Sequence, residues 1–450
     1  MKRILIALAM LAAVQVADAQ VKSPDAAAKA VAKAETAAND AKKATKVATW
    51  INLGKAYMDA YNAPAGSAWV GATKQELSLL MGADKPQGEQ HVELNGTPFV
   101  KEIYANKDFY YGQNGTLQMI IVTKPVVEDA LAKALEAYKN ANEVDAKQSK
   151  AKDIKAALSD INNKFITEAY NAYQLGDLAA ASVLFAKAAE ASNAAPLSVF
   201  DGNSLYNAGF TAWMSKNYQD AKKHFEECVA NEFYYEDGEV FAKLADVYAN
   251  LGDTEGSVKV LEEGFTKYPQ SQSILIGLIN YYLSHNENPD RLFELIALAK
   301  QNEPNNASLP YVEGNIYVEL RKADPANAKS YEAKAVEAYD ACAVIDPSYE
   351  YGHIGKGIMY YNIALELQEK ASDPALSWDA WEELNKEFAQ YLKNALEPFE
   401  AAYNISKDNS LKVNIADFLK NIYYRFSTEG PEWEEGYKKY NEVVKTGQAQ

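Results

Sequence analysis

The sequence predicts an all-α fold, an array of antiparallel helix pairs interrupted once by a small β-containing excursion. Three observations predict it. Glycine and proline number only 23 and 15 in 450 residues, too few for the turns of an all-β sandwich or a doubly wound sheet. Small residues recur twelve apart: Ala169 with Ala181, Gly209 with Ala221, Ala245 with Ser257. Such pairs mark places where two helices touch too closely for bulk. The first member of each pair then returns at a near-constant interval, along Ala169, Gly209, Ala245, Asn280 and Gly314. A large apolar residue follows each second mark by four (Phe185, Phe225, Leu261), and Pro269 breaks the chain where a pair should end.

The elements follow in order. Met1-Lys2-Arg3, an apolar stretch over 4–16 and Ala17-Asp18-Ala19 read as a signal peptide over 1–19, leaving Gln20 as the first mature residue. No cysteine stands at the cleavage point, so a lipid anchor is not expected. Residues 20–48 are Ala/Lys-rich and predict an N-terminal helix, with Ser23 as cap and Pro24 in the first turn. Trp50-Ile51-Asn52-Leu53-Gly54-Lys55-Ala56-Tyr57 reads W-x2-L-G-x2-Y and opens a first repeat over 49–145. Its second helix resumes near Ala130, so residues 62–124 are an insertion. There Asn95-Gly96 and Asn114-Gly115 punctuate three extended runs, His91–Leu94, Phe99–Tyr104 and Leu117–Val122. These are hairpin signals, and the excursion is expected to pack on the first repeat. Central repeats occupy 150–308. Repeats with longer loops between their helices occupy 309–409, with Ser372–Leu392 as an extra helix. Capping helices fill 410–450.

With its W-x2-L-G-x2-Y opening and its period near 34 residues, the chain resembles tetratricopeptide-repeat proteins over about residues 46–445. The resemblance implies a helix-turn-helix solenoid of about seven units. It also implies that the first helix of each unit lines a concave groove.

Little points to chemistry. The acidic residues, 62 against 45 basic ones, give a net charge of -17. That weighs against nucleic acid, which demands clustered Lys and Arg. No P-loop, zinc-helix or nucleophile-elbow motif is present. His91, His224, His285 and His353 fall in separate units without metal-ligand spacing. Cys228 and Cys342 read as small buried residues. No enzyme activity, cofactor or metal is expected, and no later segment is long and apolar enough to span a membrane.

Carried over from the family, the groove positions fall on Tyr170, Tyr173, Tyr206, Phe210, Trp213, Asp246, Asn250, Tyr281, Tyr311, Asn315 and Tyr361. Each ring has two readings, packing between repeats or contact with a ligand. The function implied is an exported, periplasmic scaffold or assembly factor that binds a protein or peptide. The alternative is a carbohydrate-binding protein, because the outer-membrane glycan-capture proteins of Bacteroidetes are also helical, exported and rich in aromatics.

Overall fold

The computed structural model describes residues 21–82, 84–285 and 288–449. The signal-peptide expectation over 1–19 therefore lies outside the described residues. The chain divides into two compact units, Met1–Ser257 and Val258–Gln450.

The first unit opens with α1 (Pro24–Ala38), capped by the Ser23 hydroxyl. The helix expected over 20–48 stops early. The Asp40 carboxylate accepts the amides of Lys42 and Lys43, a local turn that competes with helix. Then come α2 (Val47–Asn62) and, beyond the insertion, its antiparallel partner α4 (Ala130–Val144), with α3 (Lys74–Leu80) lying between them in sequence. Gly54 justifies the predicted pairing of α2 with α4. A Cβ there would lie 2.6 Å from the Tyr138 ring, so only glycine lets the helices approach.

The pairs continue with α5 (Ala151–Gln174) and α6 (Leu178–Asn193), then α7 (Gly202–Met214) and α8 (Tyr218–Ala230). Last come α9 (Glu239–Asn250) and α10 (Thr254–Lys267), within which the unit boundary falls. At the α7–α8 crossing a Cβ on Gly209 would lie 2.8 Å from the Phe225 ring. At the next, the Ser257 hydroxyl donates to the Ala245 carbonyl at 2.9 Å. Small-residue marks twelve apart thus sit at contact points.

The insertion is a four-stranded antiparallel meander in the order β1 (Gly88–Leu94), β2 (Thr97–Ile103), β3 (Lys107–Tyr111) and β4 (Leu117–Val122). Asn95 and Gly96 take φ of 49° and 74° at the first turn, as a two-residue hairpin requires. Strand β3 and helix α3 were not among the predicted elements. The first follows its neighbour within four residues, and the second is a single capped stretch whose capping box joins Thr73 and Glu76. One sheet face buries Tyr104, Phe109, Tyr111 and Leu117 against Ala72 and Leu77. The other buries Phe99, Tyr110 and Met119.

The sheet is tied to the second helix pair. Asn95 donates to the carbonyls of Tyr173 and Gln174 at 3.1 and 3.3 Å. Asn171 donates to the Ile120 carbonyl at 3.5 Å. This corrects the expectation of packing on the first repeat. The last-turn carbonyls of α5 lack intrahelical partners, and the hairpin tip supplies donors to them.

The second unit holds α11 (Gln272–His285), α12 (Pro289–Asn302), α13 (Ser308–Ala323), α14 (Ala328–Ile345), α15 (Glu350–Lys370), α16 (Trp378–Ile405), α17 (Asn409–Arg425) and α18 (Pro431–Thr446). Gly314 meets the Tyr339 ring and Gly357 the Phe399 ring, where a Cβ would lie within 2.6 and 2.8 Å. The turn at Asp324-Pro325-Ala326-Asn327 is a short 3-10 segment over Pro325–Asn327. The extra helix expected at Ser372–Leu392 does not stand apart. It is continuous with α16, which runs 28 residues with Pro398 inside it. The added length lies alongside a 21-residue α15, so the insertion lengthens both arms of one hairpin. Its buried Phe388, Tyr391 and Leu392 belong to the same core as Phe399 and Ile363.

Candidate partner-binding face

In the first unit the sequence-predicted residues lie on the first helices of successive pairs. Asp201 caps α7, its carboxylate accepting the Ser204 amide and the Asn162 side-chain amide. On α7 the spacing of Tyr206, Phe210 and Trp213 keeps them on one face. On α9, Glu239, Lys243, Asp246 and Asn250 do the same.

The two helices join through side chains. The Trp213 indole N–H donates to the Asp246 carboxylate. Asn250 donates to the same carboxylate at 3.2 Å and to the Asp246 carbonyl at 2.8 Å. The Lys243 ammonium stands 4.0 Å from the Trp213 ring centre and 5.6 Å from that of Phe210. Glu239 also pairs with that ammonium at 3.8 Å. Trp213 is thus fixed at its edge and across one face. Burial raises the Tyr170 hydroxyl above its ordinary range, with Asn207 of α7 acting against it.

Not every predicted ring is available. Tyr206 is 4% exposed and Phe210 8%. Tyr235 stacks on Tyr206 at 3.9 Å with planes 9° apart. Burial, together with the negative charge of Glu239, drives the Tyr206 hydroxyl far above the usual tyrosine range. Tyr170 packs edge-on to Phe185 at 5.2 Å, and Tyr173 joins the same cluster. Trp213 is half-buried, while Asp246 and Asn250 are exposed. Lys243 was not among the residues predicted. It lies off the family's groove positions, although its spacing of four from Glu239 was readable.

In the second unit the predicted residues are held by local packing. Tyr281 stacks on His285 at 4.3 Å. Tyr311 packs against Tyr339, Tyr349 and Tyr351. Asn315 accepts the Tyr339 hydroxyl at 2.8 Å. Tyr361 sits edge-on to Phe418 at 5.1 Å. No chain of contacts like that from Phe210 to Asn250 joins these four among the described residues.

Cys228 and Cys342 are buried and unpaired, and burial pushes their thiols up to about 12 and about 11. No group of three metal-binding side chains gathers among the described residues. No helix among them is long and apolar enough to cross a membrane.

No family model matches the chain, and no curated protein does. Among solved structures the chain is similar to YrrB, a TPR protein with an unusual peptide-binding site, at 19% identity and a TM-score of 0.32, over 48% of this chain and 96% of that one. It is similar to a tetratricopeptide repeat protein from Parabacteroides merdae at 14% identity and a TM-score of 0.37, over 57% and 98%. It is also similar to a TPR repeats protein from Bacteroides fragilis at 16% identity and a TM-score of 0.29, over 59% and 98%. The carbohydrate-binding alternative receives no support from them. Antiparallel helix pairs, returning at a near-constant interval and closed at several crossings by small residues, give the described residues a helix-turn-helix fold of the tetratricopeptide-repeat type.

Proposed function

We propose that the chain is an exported interaction scaffold that binds a peptide or protein segment on the α7–α9 face. The observation that carries this reading is the immobilised Trp213. Its indole is held by Asp246 and its ring by Lys243, so a partner that covers it has little side-chain entropy left to lose. Aromatic anchors of this kind dominate binding energy at interfaces. Asp246 and Asn250 beside it offer an exposed carboxylate and amide for a peptide backbone. Export is supported by the basic start, apolar stretch and Ala17-Asp18-Ala19 of the first nineteen residues. The reading assigns no chemistry to the chain.

The test is affinity capture from an envelope extract with wild type, Trp213→Ala and Asn250→Ala. One protein should be retained by wild type and lost with Trp213→Ala while the variant stays folded by circular dichroism. Equal capture by both proteins would remove this face from the recognition surface. Sequencing the N-terminus of the mature protein tests export, with Gln20 expected first.

A further inference from the structure

We infer that the start of α16 is a docking point for an arginine- or lysine-rich segment of a partner protein, received by Trp378 and Trp381. Trp378 is 70% exposed and Trp381 40%. Standing three apart on one helix, they stack at 5.0 Å with planes 29° apart. Ser377 caps the turn that carries them, its hydroxyl accepting the Ala380 amide. The pair is therefore a formed surface on an ordered first turn. Two adjacent exposed indoles are costly in water unless something covers them.

The surroundings decide what covers them. Glu369, Asp373, Asp379, Glu382, Glu383 and Glu387 lie along the same stretch, against only Lys370 and Lys386. All six carboxylates are exposed, and none joins an ion pair among the described residues. Glu382 stands four residues from Trp378 and so shares its face. Among the described residues, two of the chain's other four tryptophans carry an ammonium group at the ring. Lys243 lies over Trp213 at 4.0 Å, and Lys393 lies 5.5 Å from the Trp433 ring. Among the described residues no cation lies over Trp378 or Trp381. The cation must then come from the partner. A guanidinium or ammonium gains most on the face of tryptophan, and the flanking carboxylates neutralise the neighbouring charges. The same carboxylates repel anionic lipid and acidic proteins. This site is independent of the α7–α9 face, so either reading can fail alone.

The test uses the purified full chain and a fluorescein-labelled octapeptide of alternating Gly and Arg, followed by anisotropy. Wild type should bind saturably. Trp378→Ala should weaken binding about fivefold, the value of one cation–π contact. Trp378→Ala/Trp381→Ala should weaken it further, and Trp378→Phe/Trp381→Phe should retain most of it. Glu382→Gln/Glu383→Gln should weaken binding and flatten its salt dependence. Trp213→Ala should leave the affinity for this peptide at the wild-type value, whatever it does to partner capture on the α7–α9 face. The side chains of Trp378, Trp381, Glu382 and Glu383 are exposed, so their variants keep the wild-type far-UV spectrum. Wild type failing to bind overturns the inference. So does equal binding by the double alanine variant, which would mark attraction to the acidic chain as a whole. Displacement of the peptide by a neutral oligosaccharide in a Trp378-dependent manner overturns it as well, in favour of a sugar site.

Discussion

Gly209→Ala tests the helix contact on which the repeat assignment stands. In isolation the change should help, because alanine is favoured over glycine in a helix interior by about 1 kcal/mol. Here the new Cβ would lie 2.8 Å from Phe225 Cε1, with Cδ1 at 2.9 Å and Cζ at 3.1 Å. Carbon atoms in contact prefer about 3.5 Å or more, so the ring must retreat by roughly 0.7 Å. It has nowhere to go, since Phe225 is fully buried and packed against Tyr206. Overpacking of this kind costs about 1–3 kcal/mol. The two effects sum to a net loss of about 1 kcal/mol and at most about 2 kcal/mol. Urea unfolding followed by tryptophan emission reads it, with Trp213 one turn away on the same helix. Phe225→Leu supplies the second arm. Alone it leaves a void and is destabilising, but in the double variant it makes room for the Cβ. The double variant should be more stable than the sum of the singles by about 1 kcal/mol, as a coupled pair in contact allows. A Gly209→Ala protein as stable as wild type, or strict additivity in the cycle, would refute the close crossing of α7 and α8.

Three further outcomes follow from the same geometry. Lys107 is 1% exposed and sends its ammonium past the Tyr104 and Phe109 rings to Asp84. Asp84→Ala leaves the buried ammonium without its acceptor and should cost the sheet about 1–3 kcal/mol, read as faster amide exchange in β2 and β3, and adding Lys107→Met should restore most of it. Asn95→Gly keeps the left-handed turn but removes the donors to Tyr173 and Gln174. The first hairpin should then be cut sooner by protease while α5 exchange stays unchanged. Burial, with Lys223 nearby, holds His224 below its ordinary value near 6.5. The unfolded chain takes up that proton as pH falls through 6.5 and the folded chain resists, so stability should fall on acidification below that point. His224→Gln should flatten urea midpoints compared at pH 7.5 and pH 5.5.

The two proposed surfaces share a chemical logic. Both present tryptophan beside carboxylates, but only one is complete within the chain. At Trp213 the ammonium of Lys243 is already in place, which fixes the ring and leaves polar groups for a partner. At Trp378 the aromatic faces and the acid are present, and among the described residues no cation lies over them. The acidic balance of the whole sequence (net charge -17) thus concentrates, at one helix start, into a surface that discriminates by charge.

Much was legible from residues alone, because the pairing of successive helices here is a local rule repeated. Gly54, Gly209, Gly314 and Gly357 each announce a crossing, since a side chain there has no room, and the interval along Ala169, Gly209, Ala245, Asn280 and Gly314 sets the unit length. Helix pairing could therefore be read even across the insertion that separates α2 from α4. Tertiary structure decided what local rules do not reach. Strand β3 is defined by its pairing with β2 and β4, and the placement of the sheet on α5 depends on hydrogen bonds between residues about 50 to 80 apart in sequence. Which aromatic faces a partner also lay beyond the pattern. Tyr206, Phe210 and Trp213 share one helix face, yet Tyr235, from the link before α9, covers the first, and Lys243 and Asp246, from α9, leave the last half-open. Periodicity places a side chain on a face. Only the neighbouring segment determines whether that face meets protein or solvent.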